Sequence, residues 1–283
     1  MKLQTTASRA ATLLAKNPAL FCKVMLGKLA TVRPVPPLPA RRRIGDVWFE
    51  YDLSDYRGTA PMYFGSYAPL VVDAMKGILR PGEIFIDVGA NIGYLSAIAA
   101  SIVGPTGEVH CFEPVPTYFA RLEQLAKLNP QFSITPNLCA VGDVPGISTI
   151  YVARETGQST LVPGYKISSQ IESQLQMPVV RLDSYIEQHL SARPALIKID
   201  VEGFELPVLR GLQGYFANSS HRPPIICEIA PRAYPLLGRS MPDLAEFMAT
   251  NGYFARDLID RKTPVDLTRI QQVEDVLFVP TNR

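Results

Sequence analysis

A glycine-rich turn follows a short apolar run, and its residue types are suited to holding a nucleotide-like ligand. The run 84–86 is Ile-Phe-Ile and a helical pattern begins at Leu95, which predicts a strand, a turn and a helix. Glycines let the main chain approach a ligand closely, and the helix N-terminus adds N–H groups without intrahelical partners. The residues of this segment that we expect to bind the ligand are Asp87, Gly89, Asn91 and Gly93.

The spacing of this turn, G-x-N-x-G, differs from the G-x-G-x-x-G of folds that bind the pyrophosphate of a dinucleotide. This difference argues against a nicotinamide-dependent oxidoreductase. The strand before the turn contains Asp87, and a carboxylate attracts a cationic group and repels a pyrophosphate. S-adenosylmethionine carries a sulfonium and an ammonium group, so we predict that it is the cofactor.

Glu113 ends the next predicted strand, in the sequence C-F-E-P, and stands twenty residues after Gly93. In dinucleotide folds an acid at about this separation accepts hydrogen bonds from ribose hydroxyls, and we expect Glu113 to do the same. The segment A-V-G-D follows at the end of another predicted strand. Three of its residues are expected to line the adenine edge of the ligand: Ala140, Val141 and Asp143.

A second acid-rich segment, 197–205, reads I-K-I-D-V-E-G-F-E and supplies candidates for catalysis. Asp200 and Glu202 end one predicted strand, and Glu228 ends the next. The carboxyl ends of parallel strands share the rim where ligands bind, so these carboxylates are expected near the transferable methyl group. We predict Asp200, Glu202 and Glu228 as catalytic residues, because a carboxylate can take the proton of an acceptor hydroxyl.

The same three carboxylates leave a bound divalent ion as an alternative, since close carboxylates repel one another unless a cation lies between them. The D-N pair that is typical of catechol-type metal methyltransferases does not follow a predicted strand. We therefore predict no metal ion.

Strand and helix patterns alternate from Trp48 onward, which predicts an α/β, Rossmann-like fold with helices on both faces of a mostly parallel sheet. Seven strands are expected, the last one antiparallel, because no clear helix joins the final two. Segments 147–153 and 177–182 predict an inserted hairpin or an extended sheet edge. The predicted sheet strands are 84–88, 108–112, 137–141, 195–200, 224–229, 253–258 and 275–279, and the predicted helices are 67–79, 92–102, 116–128, 183–190, 204–217 and 241–250.

The composition indicates a globular protein with a basic N-terminal arm. The chain has 283 residues, 47% of them hydrophobic, and a formal net charge of +2, which argues against a general nucleic-acid binder. Residues 1–45 nevertheless contain nine Lys or Arg and no Asp or Glu. Four cysteines without a C-x-x-C pair indicate free thiols in a reducing compartment, so we expect a cytoplasmic protein.

We divide the chain into an N-terminal arm, 1–45, and a catalytic-type domain, 46–283. Residues 1–31 predict a helical extension, and the prolines of 33–43 predict a stiff linker. Two interpretations of the arm stay open: a helical cap packed on the domain, or a segment that docks on a membrane surface or a partner through residues 1–43. No apolar run reaches the length of about 18 residues that a membrane-spanning helix needs.

Six motifs, in their order and spacing, resemble the FkbM-type family of S-adenosylmethionine-dependent methyltransferases. They are F-I-D-V-G-A-N-I-G (85–93), F-E-P (112–114), A-V-G-D (140–143), G-Q-S-T-L (157–161), R-L-D-S-Y (181–185) and I-K-I-D-V-E-G-F-E (197–205). The resemblance covers roughly residues 47–280. The sequence departs from the family pattern at 65–68, where it has G-S-Y-A in place of G-x-Y-E. It implies a class I methyltransferase fold and O-methylation of a hydroxyl on a sugar, glycan or secondary metabolite.

Two other functions stay open beside this resemblance. A catalytically degenerate protein would keep the same residues to bind an adenosine-containing ligand without transferring a group. A glycosyltransferase is the weaker alternative, because Asp200-Val201-Glu202 matches the usual D-x-D metal motif only loosely. The acceptor, a small molecule or a glycan, and the oligomeric state have no recognisable code in the sequence.

Overall fold

The computed structural model describes residues 6–22, 25, 39–52, 60–63, 65 and 67–281. The strands are β1 Pro39–Ile44, β2 Val47–Asp52, β3 Ile84–Val88, β4 Glu108–Phe112, β5 Ser133–Asn137, β6 Ala140–Val141, β7 Gly146–Ala153, β8 Ile171–Val180, β9 Leu196–Ile199, β10 Ile225–Ile229, β11 Tyr253–Asp257 and β12 Glu274–Pro280. The helices are α1 Thr6–Lys16, α2 Ala60–Tyr63, α3 Pro69–Ile78, α4 Tyr94–Val103, α5 Pro116–Leu128, α6 Leu182–His189, α7 Glu205–Arg210, α8 Gln213–Asn218 and α9 Met241–Thr250.

A seven-stranded sheet forms the centre of the molecule, in the order β11-β12-β10-β9-β3-β4-β5. The adjacent strands β10, β9, β3, β4 and β5 run parallel to one another. In contrast, β12 pairs antiparallel with both β10 and β11. The predicted sheet, mostly parallel with an antiparallel last strand, is therefore confirmed. The chain order reverses between β3 and β9, which is the kind of switch point where such sheets bind ligands.

Helices cover both faces of this sheet. On one face, β2, α3 and α4 pack against residues that include Phe85 and Val109. On the other face, α6 to α9 pack against residues that include Ile86, Ile197 and Cys227. Phe85 and Ile86 therefore point into different cores, which explains why a central parallel strand has a continuous apolar sequence rather than an alternating one.

The predicted strand 137–141 is wrong. The strand in the main sheet is β5, and the chain then bends so that β6 pairs with β8 in a second sheet. β5 lies at the sheet edge, where Pro136 is tolerated and where all residues of the strand except Ile134 are exposed or half-buried. Its sequence, S-I-T-P-N, therefore lacks the apolar run of a central strand, whereas the apolar residues 138–141 belong to the bend and to β6.

The second sheet has the order β6-β8-β7 and confirms the inserted hairpin. β7 and β8 pair antiparallel along their length, and β8 begins at Ile171, six residues before its predicted start. Buried side chains that include Ile150, Leu161 and Met177 form a separate apolar cluster beneath this sheet.

The predicted helix 204–217 consists of two helices, α7 and α8, which are separated at Gly211 and Leu212. A Cβ on Gly211 would lie 2.5 Å from the carbonyl oxygen of Gly142. The missing side chain therefore allows the chain between α7 and α8 to pack directly on the chain that follows β6.

The predicted linker 33–43 is wrong for residues 39–43, which form most of β1 and pair antiparallel with β2. Gly45, at a φ of 56°, helps to make the tight turn between the two strands. Residues 33–38 lie outside the described residues. The division of the chain at residue 45 stays a prediction.

The described part of the arm packs on the domain. Leu13 and Leu20 are buried, and Lys16 Nζ lies 2.8 Å from Asp260 Oδ2. These contacts favour the helical-cap interpretation, while docking on a membrane surface stays a prediction. In the part of the chain that the structure describes, no helix combines the length and apolar character needed to span a bilayer.

Candidate active site

A cavity opens at the carboxyl ends of β3, β4 and β9, at the switch point of the sheet. Its empty space is about 820 Å³, including the part open to solvent. The wall joins the turn after β3, the end of β4, the second sheet and the turn after β9. The predicted site residues in this wall are Gly89, Asn91, Glu113, Ala140, Val141, Asp200 and Glu202.

The turn after β3 brings the main chain against the end of β9. Gly89 has a φ of 79°, and a Cβ there would overlap the carbonyl oxygen of Asp200. Asn91 has a φ of 50°, a left-handed conformation that asparagine adopts more readily than most residues. Its side-chain Oδ1 is buried without a hydrogen-bond partner among the described residues. A ligand that donates a hydrogen bond from within the cavity would satisfy this oxygen.

Glu113 fixes the same turn from β4. Its Oε2 accepts the N–H of Asn91 and its Oε1 accepts the N–H of Val115, both at 2.8 Å. Burial raises the pKa of Glu113 to about 7, although the two main-chain hydrogen bonds lower it. Each oxygen keeps a further lone pair. Glu113 can therefore hold the turn and still accept hydrogen bonds from a ligand in the cavity.

Asp87 lies beneath the turn and is not part of the cavity wall. It is fully buried, and its Oδ2 accepts a 2.6 Å hydrogen bond from Ser96 Oγ. Its Oδ1 lies 3.5 Å from Lys198 Nζ. The structure therefore gives Asp87 two protein contacts and no place in the cavity wall, while its predicted contact with the ligand stays a prediction.

Lys198 links the glycine turn after β3 to the acidic rim, which consists of Asp200, Glu202 and Glu228. Its Nζ lies 3.1 Å from Asp200 Oδ2 and donates to the Gly89 carbonyl oxygen at 3.2 Å. Burial lowers the pKa of Lys198, but the charges of Asp200 and Asp87 raise it above its usual range. A lysine in the middle of the apolar strand β9 signals buried acids nearby. The sequence did not show that Lys198 lines the cavity, because Asp87 becomes its neighbour only through strand pairing.

Two further predicted cofactor residues, besides Asp87, lie outside the cavity wall. Gly93 is the N-cap of α4, at a φ of 84°, and a Cβ there would lie 2.6 Å from Leu122 Cδ2. The absence of a side chain at this position therefore allows α4 to pack on α5. Asp143 follows β6, and its carbonyl oxygen accepts a hydrogen bond from Arg181 at 2.8 Å. Ala140 and Val141, in contrast, lie in the wall as predicted.

The structure brings the three predicted catalytic acids together. The carboxylate oxygens of Asp200, Glu202 and Glu228 lie within 4.8 Å of one another, a spacing that a divalent cation could bridge. Two ammonium groups already offset this charge, because Lys198 pairs with Asp200 and Lys166 pairs with Glu202 at 3.0 Å. The absence of a metal ion stays a prediction.

Glu228 differs from the other two acids in place and charge. It lies at the end of β10 beside the cavity, whereas Asp200 and Glu202 line the wall itself. Burial first, and then the charges of Asp200 and Asp275, raise the pKa of Glu228 well above its usual range. The neutral form of Glu228 can donate a hydrogen bond, which an ionised carboxylate cannot.

The segment Gln158-Ser159-Thr160 contacts the acidic rim. Gln158 Nε2 donates to Glu202 Oε1 at 2.9 Å, and Thr160 Oγ1 donates to the Glu202 carbonyl oxygen at 2.7 Å. Ser159 lines the cavity. The contacts of this segment with Glu202 join residues more than forty positions apart, so no local sequence pattern indicates them.

Tyr67 lines the cavity at the site of the G-S-Y-A departure. Its ring packs edge-to-face on Tyr94, with 5.7 Å between the centroids. Burial, followed by the charge of Asp200, raises the pKa of the Tyr67 hydroxyl above its usual range. This hydroxyl is therefore a neutral hydrogen-bonding group at the cavity wall.

The parallel sheet, the glycine turn at its switch point and the adjoining acidic rim define a Rossmann-like protein of the class I methyltransferase type. A sequence profile described as the Methyltransferase FkbM domain matches residues 87–255, which is more than half of the chain. The chain belongs to the FkbM family of methyltransferases.

Two curated relatives and one solved structure are similar to the chain. The 31-O-demethyl-FK506 methyltransferase FkbM of Streptomyces tacrolimicus is 34% identical over 161 residues, which are 48% of this chain and 61% of that relative. The hexuronic acid methyltransferase AglP of Haloferax volcanii is 27% identical over 143 residues, or 50% of this chain and 55% of the relative. The chain therefore spans less than two thirds of either relative. A methyltransferase FkbM from Methylobacillus flagellatus KT has a TM-score of 0.44 at 14% identity, covering 92% of this chain and 60% of that chain.

Proposed function

We propose that the chain transfers a methyl group from S-adenosylmethionine to a hydroxyl of a sugar, glycan or secondary metabolite. The observation that carries the proposal is the continuous cavity in which the glycine turn and Glu113 adjoin Asp200 and Glu202. The names of the two relatives support this acceptor class, since one is described as a hexuronic acid methyltransferase and the other names an O-demethyl substrate.

The residues of the cavity fit an adenosine-containing cofactor. Glu113 has lone pairs left for ribose hydroxyls, and the buried Oδ1 of Asn91 offers an unused acceptor. Ala140 and Val141 offer an apolar wall to the adenine ring. Gly89 keeps the wall free of a side chain where β3 and β9 meet. S-adenosylmethionine, when bound, supplies a methyl group activated by its sulfonium.

The chain's own contribution to the reaction is to position the acceptor and take its proton. Asp200 has one carboxylate oxygen 3.1 Å from Lys198 Nζ, and we assign the other oxygen to accept the proton of the acceptor hydroxyl. Glu202 and the neutral Glu228 orient the acceptor by hydrogen bonds. Gly157, Ser159 and Leu161 line the cavity from the connection between β7 and β8, where they exclude water from the reacting groups.

A screen for labelled methyl transfer tests this proposal. The chain is incubated with methyl-labelled S-adenosylmethionine and a panel of hexoses, hexuronic acids and polyhydroxylated macrolides. We expect transfer by the wild-type chain, and a loss of about a hundredfold or more in Asp200→Asn, because general-base catalysis contributes about that factor. Asp46→Asn, in the turn between β1 and β2, is the control and keeps wild-type activity.

Calorimetry with S-adenosylhomocysteine separates binding from catalysis in the same variants. We expect Asp200→Asn to bind it within a few-fold of the wild-type chain, because Glu113 and the glycine turn are unchanged. Near-normal turnover in Asp200→Asn would remove the assignment of this residue. Tight binding without transfer to any acceptor would instead favour a catalytically degenerate protein.

A further inference from the structure

Glu202 stands in a backbone conformation that a glutamate rarely adopts. Its φ is 51°, directly after β9 at the rim of the cavity. A left-handed conformation costs a residue with a Cβ about 1–2 kcal/mol, so surrounding contacts must hold it. Gly203 follows at a φ of 102°, and a Cβ there would overlap the side chain of Ala233. The chain therefore turns sharply at Glu202 and Gly203, and this turn fixes the direction of the Glu202 side chain.

Two side chains from the connection between β7 and β8 hold both carboxylate oxygens of Glu202. Lys166 Nζ lies 3.0 Å from Oε2, and Gln158 Nε2 donates to Oε1 at 2.9 Å. Lys166 also donates to Gln158 Oε1 at 2.5 Å, which closes a triangle of three side chains. The Lys166 and Glu202 side chains are only 11% and 10% exposed, so water screens their attraction less than at an open surface.

These contacts oppose a local repulsion between two carboxylates. Asp200 has an oxygen within 4.8 Å of a Glu202 oxygen. A counter-charge and a directed hydrogen bond at Glu202 offset this repulsion. The triangle leaves one lone pair on each Glu202 oxygen, so the carboxylate remains able to accept hydrogen bonds from a molecule in the cavity.

The segment that carries the triangle also touches the opposite wall. Gly157 lines the cavity, and a Cβ there would lie 2.9 Å from Asn91 Nδ2. Ser159 and Leu161 line the cavity as well. The same short stretch of chain therefore lies close both to the glycine turn after β3 and to Glu202.

We propose that Lys166 and Gln158 are positioning residues, which hold Glu202 in the orientation that binds the acceptor hydroxyl. This inference rests on the proposed function, because it assigns the Glu202 side of the cavity to the acceptor. It makes the segment 157–166 the element that orders the acceptor site. Lys166 and Gln158 act through Glu202 and make no contact with the reacting atoms.

Substitution of Lys166 tests the proposal with acceptors that the labelled-methyl screen finds to be methylated. Lys166→Met removes the ammonium group and keeps the length of the side chain. We expect its kcat/KM for the acceptor to fall at least about tenfold, as for a lost charge-assisted hydrogen bond. Affinity for S-adenosylhomocysteine stays within about twofold. Lys166→Arg restores part of the loss, and Gln158→Leu shows a smaller loss in the same direction.

Lys127→Met is the matched control, because Lys127 forms an exposed pair with Glu123 on α5, away from the cavity. Equal kcat/KM values in Lys166→Met, Lys127→Met and the wild-type chain would overturn the positioning role. A fall in cofactor affinity as large as the fall in kcat/KM would also overturn it, by showing a general structural role. If the wild-type chain methylates no acceptor in the panel, the proposed function and this inference fall together.

Discussion

At the scale of single residues, the site depends on backbone conformations that few side chains allow. Gly89, Asn91 and Glu202 all have positive φ values and all line the same cavity. The sequence identified these three positions because G-x-N-x-G and D-V-E-G are specific patterns. The positive φ values have different causes. Contact with Asp200 requires a glycine at position 89, whereas side chains from a distant segment hold Glu202.

Gly89→Ala is predicted to disrupt the cofactor site rather than only strain the backbone. The added Cβ would overlap the Asp200 carbonyl oxygen, so the turn must move away from β9. We expect affinity for S-adenosylhomocysteine to fall at least about tenfold, which corresponds to about 1.4 kcal/mol, as measured by calorimetry.

Gly104→Ala is the matched control for this change. Gly104 has a similar φ of 72°, but its Cβ would meet no atom within 4 Å. Its ψ of −173° places it in a region that is almost restricted to glycine, so this variant should lose about 1–3 kcal/mol of stability and keep its affinity. Equal affinities in both variants would show that the close approach at Gly89 is unimportant for binding.

Glu113 should make cofactor affinity depend on pH. Burial holds its pKa at about 7, above the ordinary value of a glutamate. The raised pKa stabilises the folded chain while Glu113 is neutral. This contribution to the free energy of unfolding is complete below the ordinary pKa of a glutamate and is lost as the pH rises through about 7. The ionised carboxylate is the stronger acceptor for ribose hydroxyls. We expect affinity for S-adenosylhomocysteine to rise between pH 6 and pH 8.

Glu113→Gln supplies the comparison for this pH dependence. The amide does not titrate, so its affinity should be lower at pH 8 and nearly constant over the same range. A wild-type titration curve that matches the variant's curve in slope would exclude Glu113 as the titrating group.

At the scale of elements, sequence patterns predicted strands where both faces are buried and failed where contacts cross between elements. β3, β4, β9 and β10 were found from their apolar runs. β5 was misplaced, because an edge strand with polar residues resembles a loop. Lys166 was not identified, because its partner Glu202 lies 36 positions away and no sequence pattern in the connection between β7 and β8 indicates that contact.

Asn129 is an element-scale contact that the sequence did not predict. It follows α5 and is fully buried. Its side chain accepts the N–H of Trp48 at 2.7 Å and donates to the Trp48 and Leu125 carbonyl oxygens, both at 2.8 Å. It therefore ties β2 to α5 through the main chain of a single residue, Trp48.

Asn129→Ala is expected to lower the free energy of unfolding by about 2–4 kcal/mol, because it leaves buried main-chain groups unpaired. Denaturant unfolding measures this loss. Glu123→Ala, at an exposed position of α5, should change it by less than about 0.5 kcal/mol. A similar small change in Asn129→Ala would show that β2 is held by its apolar contacts alone.

At the scale of the whole molecule, the order of strands and helices was predictable because each βα unit carries its own signal. The relation of the arm to the domain was not, because an amphipathic helix can bury its apolar side against a protein or a membrane. The structure shows Leu13 and Leu20 buried, while Leu14 is 46% exposed. Lys16 meets Asp260 from the far end of the chain.

These contacts predict that the arm stabilises the domain. Leu13→Ala should cost about 2 kcal/mol, which lowers the Tm by about 4–8 °C in a protein of this size. Leu14→Ala, the adjacent exposed position, should change the Tm by less than about 2 °C. Flotation with phosphatidylserine vesicles distinguishes the alternative. If α1 docks on a membrane instead, Leu14→Ala would reduce flotation while Leu13→Ala left the Tm unchanged, because the buried position would then have no packing to lose.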